Sequence, residues 1–286
     1  MVVCVGADVY ICWGIDCLRS GGVSQYIVMR EAIQFTPVGA LFDVDDTLLD
    51  NFPTEHQHGL HEYARLLAMR EIGDKYGIPG LSNLSEDQNR TVLKRANEHS
   101  IEGNTWQLFY ELGLVESREI DHSDSLLKEV TERKHRLYEP VLREFGAPLP
   151  RALEFIKAIY VLTNGKIAIA SGARGKDVGI FLQMSGMSAL FEDERVISRE
   201  KFVRAKPHPE SFETAFSTLG LSDSERSKVL AFEDDPKGVI SAKNAGLFVC
   251  AITSRFDEKT LMTGKYKPDL VRESYVDFAI ALGIDL

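Results

Sequence analysis

Two apolar runs in this chain end in bursts of acid. Ala40-Leu41-Phe42 leads into Asp43-Val44-Asp45-Asp46-Thr47, and Val229-Leu230-Ala231-Phe232 leads into Glu233-Asp234-Asp235. Carboxylates crowded at the end of a buried segment repel one another and lose hydration, so they need shared protons or a bound cation. An all-oxygen donor set favours Mg²⁺ over zinc or copper. Either cluster alone is also what a helix cap or a turn looks like. Asp235 before Pro236 has the form of an N-cap, which leaves Glu233 and Asp234 as the stronger metal candidates.

Two further segments fit the same chemistry. Ala170-Ser171-Gly172-Ala173-Arg174 offers a small hydroxyl and glycine amides at a helix start, where a phosphate can be met; a plain serine cap is the simpler alternative. Lys206, in Arg204-Ala205-Lys206-Pro207-His208-Pro209-Glu210, stands just ahead of a proline-started helix, a place where a solvated lysine is the ordinary expectation. Together they suit phosphoryl transfer. A carboxylate is a weak nucleophile, but a phosphoryl group held by a divalent cation and a lysine loses much of the charge that would repel Asp43. Asp45 points to the other side of an extended backbone and needs a bend at Asp46-Thr47 to bring it back as the proton donor and acceptor. Lys206 and the amides near Ser171 and Gly172 would hold the equatorial oxygens as charge redistributes.

The elements that must position these residues are legible in the pattern. Short β-branched or apolar runs at 39–43, 166–170, 195–197, 228–232 and 247–252 read as buried strands of a parallel sheet. Helical spacing at 177–184, 210–219 and 236–245 alternates with them, which implies right-handed crossovers and a sheet covered on both faces. Residues 53–145 are polar-rich and helix-patterned, with candidate helices at 55–75, 85–102, 106–112 and 123–145 and breaks at Gly77–Pro79, Gly103 and Gly113. An insert leaving the first strand there emerges at its carboxyl end, where ligands of open α/β sheets bind, so it reads as a lid, the simpler alternative being a packed helical domain with no gating role.

Within the insert, His58 and His61 could share a helix face but lack a third ligand at metal-binding spacing; with His56 they read as polar residues of a helix. Trp106, Phe109 and Tyr110 suit the insert's core, and the charged run 129–136 reads as a solvated helix face. No chemistry is recognisable beyond Arg255.

The 286 residues suit one good core plus a smaller module. With 33 basic and 43 acidic side chains the net charge is −10, which argues against nucleic-acid or anionic-membrane binding, so an anionic substrate must be attracted locally. Cys4, Cys12, Cys17 and Cys250 form no zinc-like spacing and fit a reduced, cytoplasmic protein. Asp8, Asp16 and Arg19 interrupt the apolar start, so neither signal peptide nor membrane span is read there, and Met29 offers a second start.

The four chemical segments, in this order across roughly residues 39–252, resemble the four motifs of the haloacid dehalogenase superfamily. The insert resembles the helical cap of its small-metabolite phosphatases and β-phosphoglucomutases. The resemblance implies an α/β fold with a Rossmann-like parallel sheet core (36–52 and 147–286), helices on both faces, a helical cap (53–146) and an N-terminal extension (1–35). It implies Asp43 as nucleophile, Asp45 as general acid and base, and Lys206 as the charge-neutralising base. Thr47, Ser171, Gly172 and Lys206 become substrate-phosphate contacts, and Asp43, Asp45 and Asp234 become Mg²⁺ ligands, with Glu233 acting through the ion's water shell. The expected activity is a Mg²⁺-dependent phosphatase for a small phosphorylated metabolite, through an aspartyl-phosphate. The alternatives are a sugar-phosphate mutase and a binding protein that has lost the reaction. Asp45 argues against dehalogenation, because the family's dehalogenases lack that second aspartate. Asp46 departs from the glycine of many relatives, a change that a tight left-handed turn tolerates.

Overall fold

The computed structural model describes residues 33–52, 59–92, 95 and 100–286 in full and Leu93 by its backbone. Of the N-terminal segment it describes the backbone of three short antiparallel strands, Val2–Cys4, Tyr10–Cys12 and Ile27–Val28. The expectations about Cys4, Cys12, Cys17 and Met29 otherwise lie outside the described residues. Among the described residues no helix is long and apolar enough to cross a membrane.

Six parallel strands form the main sheet: β1 (Gly39–Phe42), β2 (Ile167–Ala170), β3 (Val196–Ile197), β4 (Val229–Glu233), β5 (Phe248–Ile252) and β6 (Leu270–Arg272), in the order β6-β5-β4-β1-β2-β3. The central strands are continuous apolar runs because both faces are covered, and their side chains alternate between two cores. Phe42, Ile169 and Phe232 enter one with Phe155, Tyr275 and Phe278. Leu41, Ala168 and Ala231 enter the other with Phe212 and Val239. The winding reverses between β1 and β4, which opens a crevice at their carboxyl ends.

The helices of the first core include Ala152–Leu162 and Tyr275–Leu282, neither of which the sequence pattern singled out, and β6 was likewise unread. Between β1 and the helix Ala152–Leu162 the described residues form four longer helices, α1 (Leu60–Tyr76), α2 (Glu86–Leu93), α3 (Ile101–Glu111) and α4 (Ser125–Phe145). They have a core of their own built from Leu66, Met69, Trp106, Phe109 and Val130. Trp106 and Phe109 thus lie where their spacing suggested, and the Trp106 indole donates to Ser117 O at 3.0 Å. α1 stops at Gly77, in the left-handed region at φ 63°.

Two expected helices are redrawn. The helix read over 85–102 ends at Leu93 among the described residues, and the one read from Trp106 begins at Ile101 instead. The cause is Ser100, which caps α3 by accepting from Gly103 N at 2.9 Å, so Gly103 sits in a first turn rather than at a break. The helices join the sheet through an antiparallel pair, Leu49–Asp50 with Ala147–Pro148, extended by Leu149 N donating to Leu48 O at 2.8 Å.

Candidate active site

Parallel register brings the two acid clusters together. Phe42 and Phe232 are direct partners across β1 and β4, and Asp43 N donates to Phe232 O at 3.1 Å, so Asp43 and Glu233 follow side by side. Oxygens of Asp43, Glu233 and Asp234 all lie within 4.8 Å of one another, and all three residues are buried. Lys206 arrives from the loop after β3 and bridges them, its Nζ 2.5 Å from Asp43 Oδ1 and 2.5 Å from Glu233 Oε1.

Asp235 caps the helix Pro236–Asn244 through Lys237 N at 2.7 Å, as its position before proline suggested. Glu233 is packed so tightly over that helix that a Cβ on Gly238 would fall 2.0 Å from its carboxyl carbon. Thr47 Oγ1 donates to Asp234 Oδ1 at 2.9 Å, and the Thr47 carbonyl accepts from the Tyr275 hydroxyl at 2.6 Å. Asp234 Oδ2 is buried without a hydrogen-bond partner among the described residues. An orphaned carboxylate oxygen beside two more carboxylates is what a cation would complete, so this all-oxygen cluster is compatible with a metal ion.

The electrostatics agree. Burial drives the Asp43 carboxyl well above its ordinary range; Lys206 opposes this, while Glu233 and Asp45 add to it. Asp234 is likewise raised well above, by burial and by the charges of Glu233 and Asp43. Burial works against the Lys206 ammonium, but its two carboxylate partners raise its pKa and keep it charged.

Asp45 turns away from this cluster, although it was expected among the metal ligands. The backbone bends at Asp46, which takes φ 58°, and Asp45 Oδ1 then accepts from Asn51 Nδ2 at 3.1 Å and lies 3.5 Å from His61 Nε2. Burial alone would raise Asp45, but His61 and Asn51 outweigh it and hold the carboxyl at about 2. His61 stacks on Tyr138, ring centroids 4.1 Å apart, and its Nδ1 lies 2.9 Å from Lys134 Nζ. Lys134 is only 2% exposed. That corrects the reading of 129–136 as a wholly solvated face: 134 falls on the same stripe as Leu127, Val130, Tyr138 and Val141. His56 and His58 lie outside the described residues.

Ser171 is fully buried and its hydroxyl accepts from Ala173 N at 3.1 Å, so it braces its own loop, while Gly172 lines a cavity of about 360 Å³ between sheet and helices. Asp45, His61 and Lys134 line the same cavity, as does Arg255, whose Nη1 lies 3.6 Å from Asp46 and 3.9 Å from Asp235.

A family model described as haloacid dehalogenase-like hydrolase matches residues 39–246. The chain belongs to that family. A phosphorylated carbohydrates phosphatase of Thermotoga maritima is 25% identical over 208 residues, which cover 72% of this chain and 81% of the relative. A family IA, variant 3 hydrolase structure from Entamoeba histolytica superposes with TM-score 0.63 at 24% identity, covering 84% of this chain and 94% of its own. A Thermotoga maritima structure assigned as a β-phosphoglucomutase superposes with TM-score 0.59 at 22% identity, covering 85% and 96%. The last two share the fold.

For a hydrolase of this family, the residues that sequence reasoning passed over are Asn51, His61 as the partner of Asp45, Lys134 and Tyr275. Lys134 had a usable signal, a charged residue on an apolar helical stripe. Tyr275 had none, since its bond to Thr47 spans 228 positions.

Proposed function

We propose that this hydrolase is a Mg²⁺-dependent phosphatase acting on a small phosphorylated metabolite through an aspartyl-phosphate on Asp43. The observation that carries the reading is the ammonium of Lys206 held between Asp43 and Glu233, with Asp234 in the same cluster. The division into a core (36–52 and 147–286), a helical cap (53–146) and an N-terminal extension (1–35) is part of this proposal, as is a cytoplasmic setting.

Asp43 and Asp234 would hold the Mg²⁺ ion, with Glu233 supporting its water shell, and the ion would supply charge neutralisation for the phosphoryl oxygens. Asp43 attacks phosphorus as the bond to the leaving oxygen breaks. Lys206 and the amide of Gly172 hold the equatorial oxygens. Asp45 completes the reaction by taking a proton from the water that hydrolyses the acyl phosphate. Its contacts with Asn51 and His61 favour the ionised form this step needs. To protonate the leaving oxygen in the first half, the same carboxyl must exchange those partners for the substrate.

A phosphate-release screen over phosphorylated sugars, polyols and hydroxy acids, with Mg²⁺ and with EDTA, tests the reading. Metal-dependent release is expected, and release of none, or release indifferent to EDTA, rejects it. Incubation with β-glucose 1-phosphate and a bisphosphate activator separates phosphatase from mutase: free phosphate without an isomeric product is the expected result.

A further inference from the structure

The cavity has a second charged wall that the phosphatase reading does not use. Arg65 on α1 and Lys134 on α4 are 3% and 2% exposed, and both line the cavity from the helical side. Neither has a carboxylate within ion-pair distance among the described residues. Arg65 Nε donates to Asn89 Oδ1 at 3.0 Å and Nη2 to Asn89 O at 2.9 Å, while among the described residues Nη1 has no hydrogen-bond partner. Lys134 Nζ has the neutral ring nitrogen of His61 and the face of Tyr138, 4.5 Å from its centroid.

The Asn89 bonds account for a polar group at position 65 but not for a charge, since a neutral donor would serve as well. Burying a cation without its counter-charge costs several kcal/mol, about the amount that an arriving anion recovers. Two such cations feel each other's field, and Lys134 is lowered to about 8, chiefly by burial and in part by Arg174 and Arg65. The nearby acids act on Lys134 only from beyond ion-pair distance: Asp177 and Asp45 favour its ammonium, but Asp177 is engaged in a two-point contact with Arg174 at 2.8 and 2.9 Å, and Asp45 accepts from Asn51. Glu62 lines the same wall and its charge favours the Arg65 guanidinium, but among the described residues it forms no ion pair. Asn104 Oδ1, also on this wall, is buried with no donor among the described residues, an opening for a ligand hydroxyl.

We infer that Arg65 and Lys134 form an anion subsite on the helical wall, so that the preferred substrate is a phosphomonoester carrying a second anionic group, a carboxylate or another phosphate, on a hydroxylated frame. This rests on the phosphatase reading for its substrate class but not for its test. Calorimetric binding to the Asp43→Asn protein compares 3-phosphoglycerate with glycerol 3-phosphate, and fructose 1,6-bisphosphate with fructose 6-phosphate. The doubly anionic member of at least one pair is expected to bind about tenfold more tightly, the first pair reporting a carboxylate and the second a phosphate. Adding Arg65→Met should bring that ratio to within about twofold of parity, and Arg65→Lys should restore part of it. Equal affinities within both pairs, no binding of either doubly anionic compound, or a preference that survives Arg65→Met overturns the subsite. Because binding is read without turnover, absence of phosphate release sinks the phosphatase reading alone.

Discussion

Lys206 Nζ and Asp43 Oδ1 meet at 2.5 Å across 163 positions of chain. The same ammonium reaches Glu233, so its removal uncovers two buried carboxylates at once. Lys206→Met is therefore expected to lower kcat by about 10²–10³-fold, the usual cost of deleting one preorganised donor. Lys206→Arg should recover little, because a planar fork cannot place one nitrogen between two oxygens that a compact ammonium already touches. Steady-state kinetics with a generic aryl phosphate decides it; a Met variant within about twofold of the parent removes Lys206 from the chemistry.

Asp43→Asn separates reaction from fold. Turnover should fall by at least about 10³-fold, as for loss of a covalent nucleophile. The melting temperature in EDTA should stay level or rise, since one of three mutually repelling buried carboxylates becomes neutral while Glu233 still pairs Lys206. Calorimetry and phosphate release on one preparation test both halves; near-normal activity would reject attack by Asp43.

The meeting of Asp43 with Glu233 and Asp234 was legible because an apolar run ending in acid is a strand end, and neighbouring parallel strands bring such ends together. The bend that redirects Asp45 was legible in Asp46. Arg65 and Lys134 were not read, because charged residues on a helix are solvated by default and only the face of the partner helix tells that they are covered. Glu233 shows a second limit. Its close approach to the helix beginning at Pro236 is a tertiary distance that Gly238 permits but does not announce.

That packing gives a stability test. Glu233 cannot retreat from a Cβ at position 238, because Oε1 is held by Lys206 and Oε2 accepts from Asp234 N at 3.2 Å. Gly238→Ala should cost about 1–3 kcal/mol, as overpacking does, and should lower activity by shifting Glu233 off the lysine. Gly172→Ala is the control for stability, since a Cβ there meets nothing within 4 Å. Equal denaturant midpoints for the two variants would mean the helix gives way freely.

Lys134 makes stability depend on pH in a defined direction. Burial is the largest cause lowering its pKa from 10.5 to about 8 in the fold. Between those values the unfolded chain holds the proton more tightly than the folded one. The derivative of unfolding free energy with pH is positive where the unfolded state binds more protons, so this residue's penalty is complete below pH 8 and shrinks as pH rises toward 10.5. Lys134→Met, of similar length and without the charge, removes that dependence. The stability of the Met variant relative to the parent should therefore decline by on the order of 2 kcal/mol between about pH 7 and pH 9.5. Urea unfolding of both proteins at the two pH values measures it, and the subtraction cancels the titration of groups that do not interact with Lys134. A difference that stays flat would mean that the ammonium is as well solvated at the cavity wall as in the open chain.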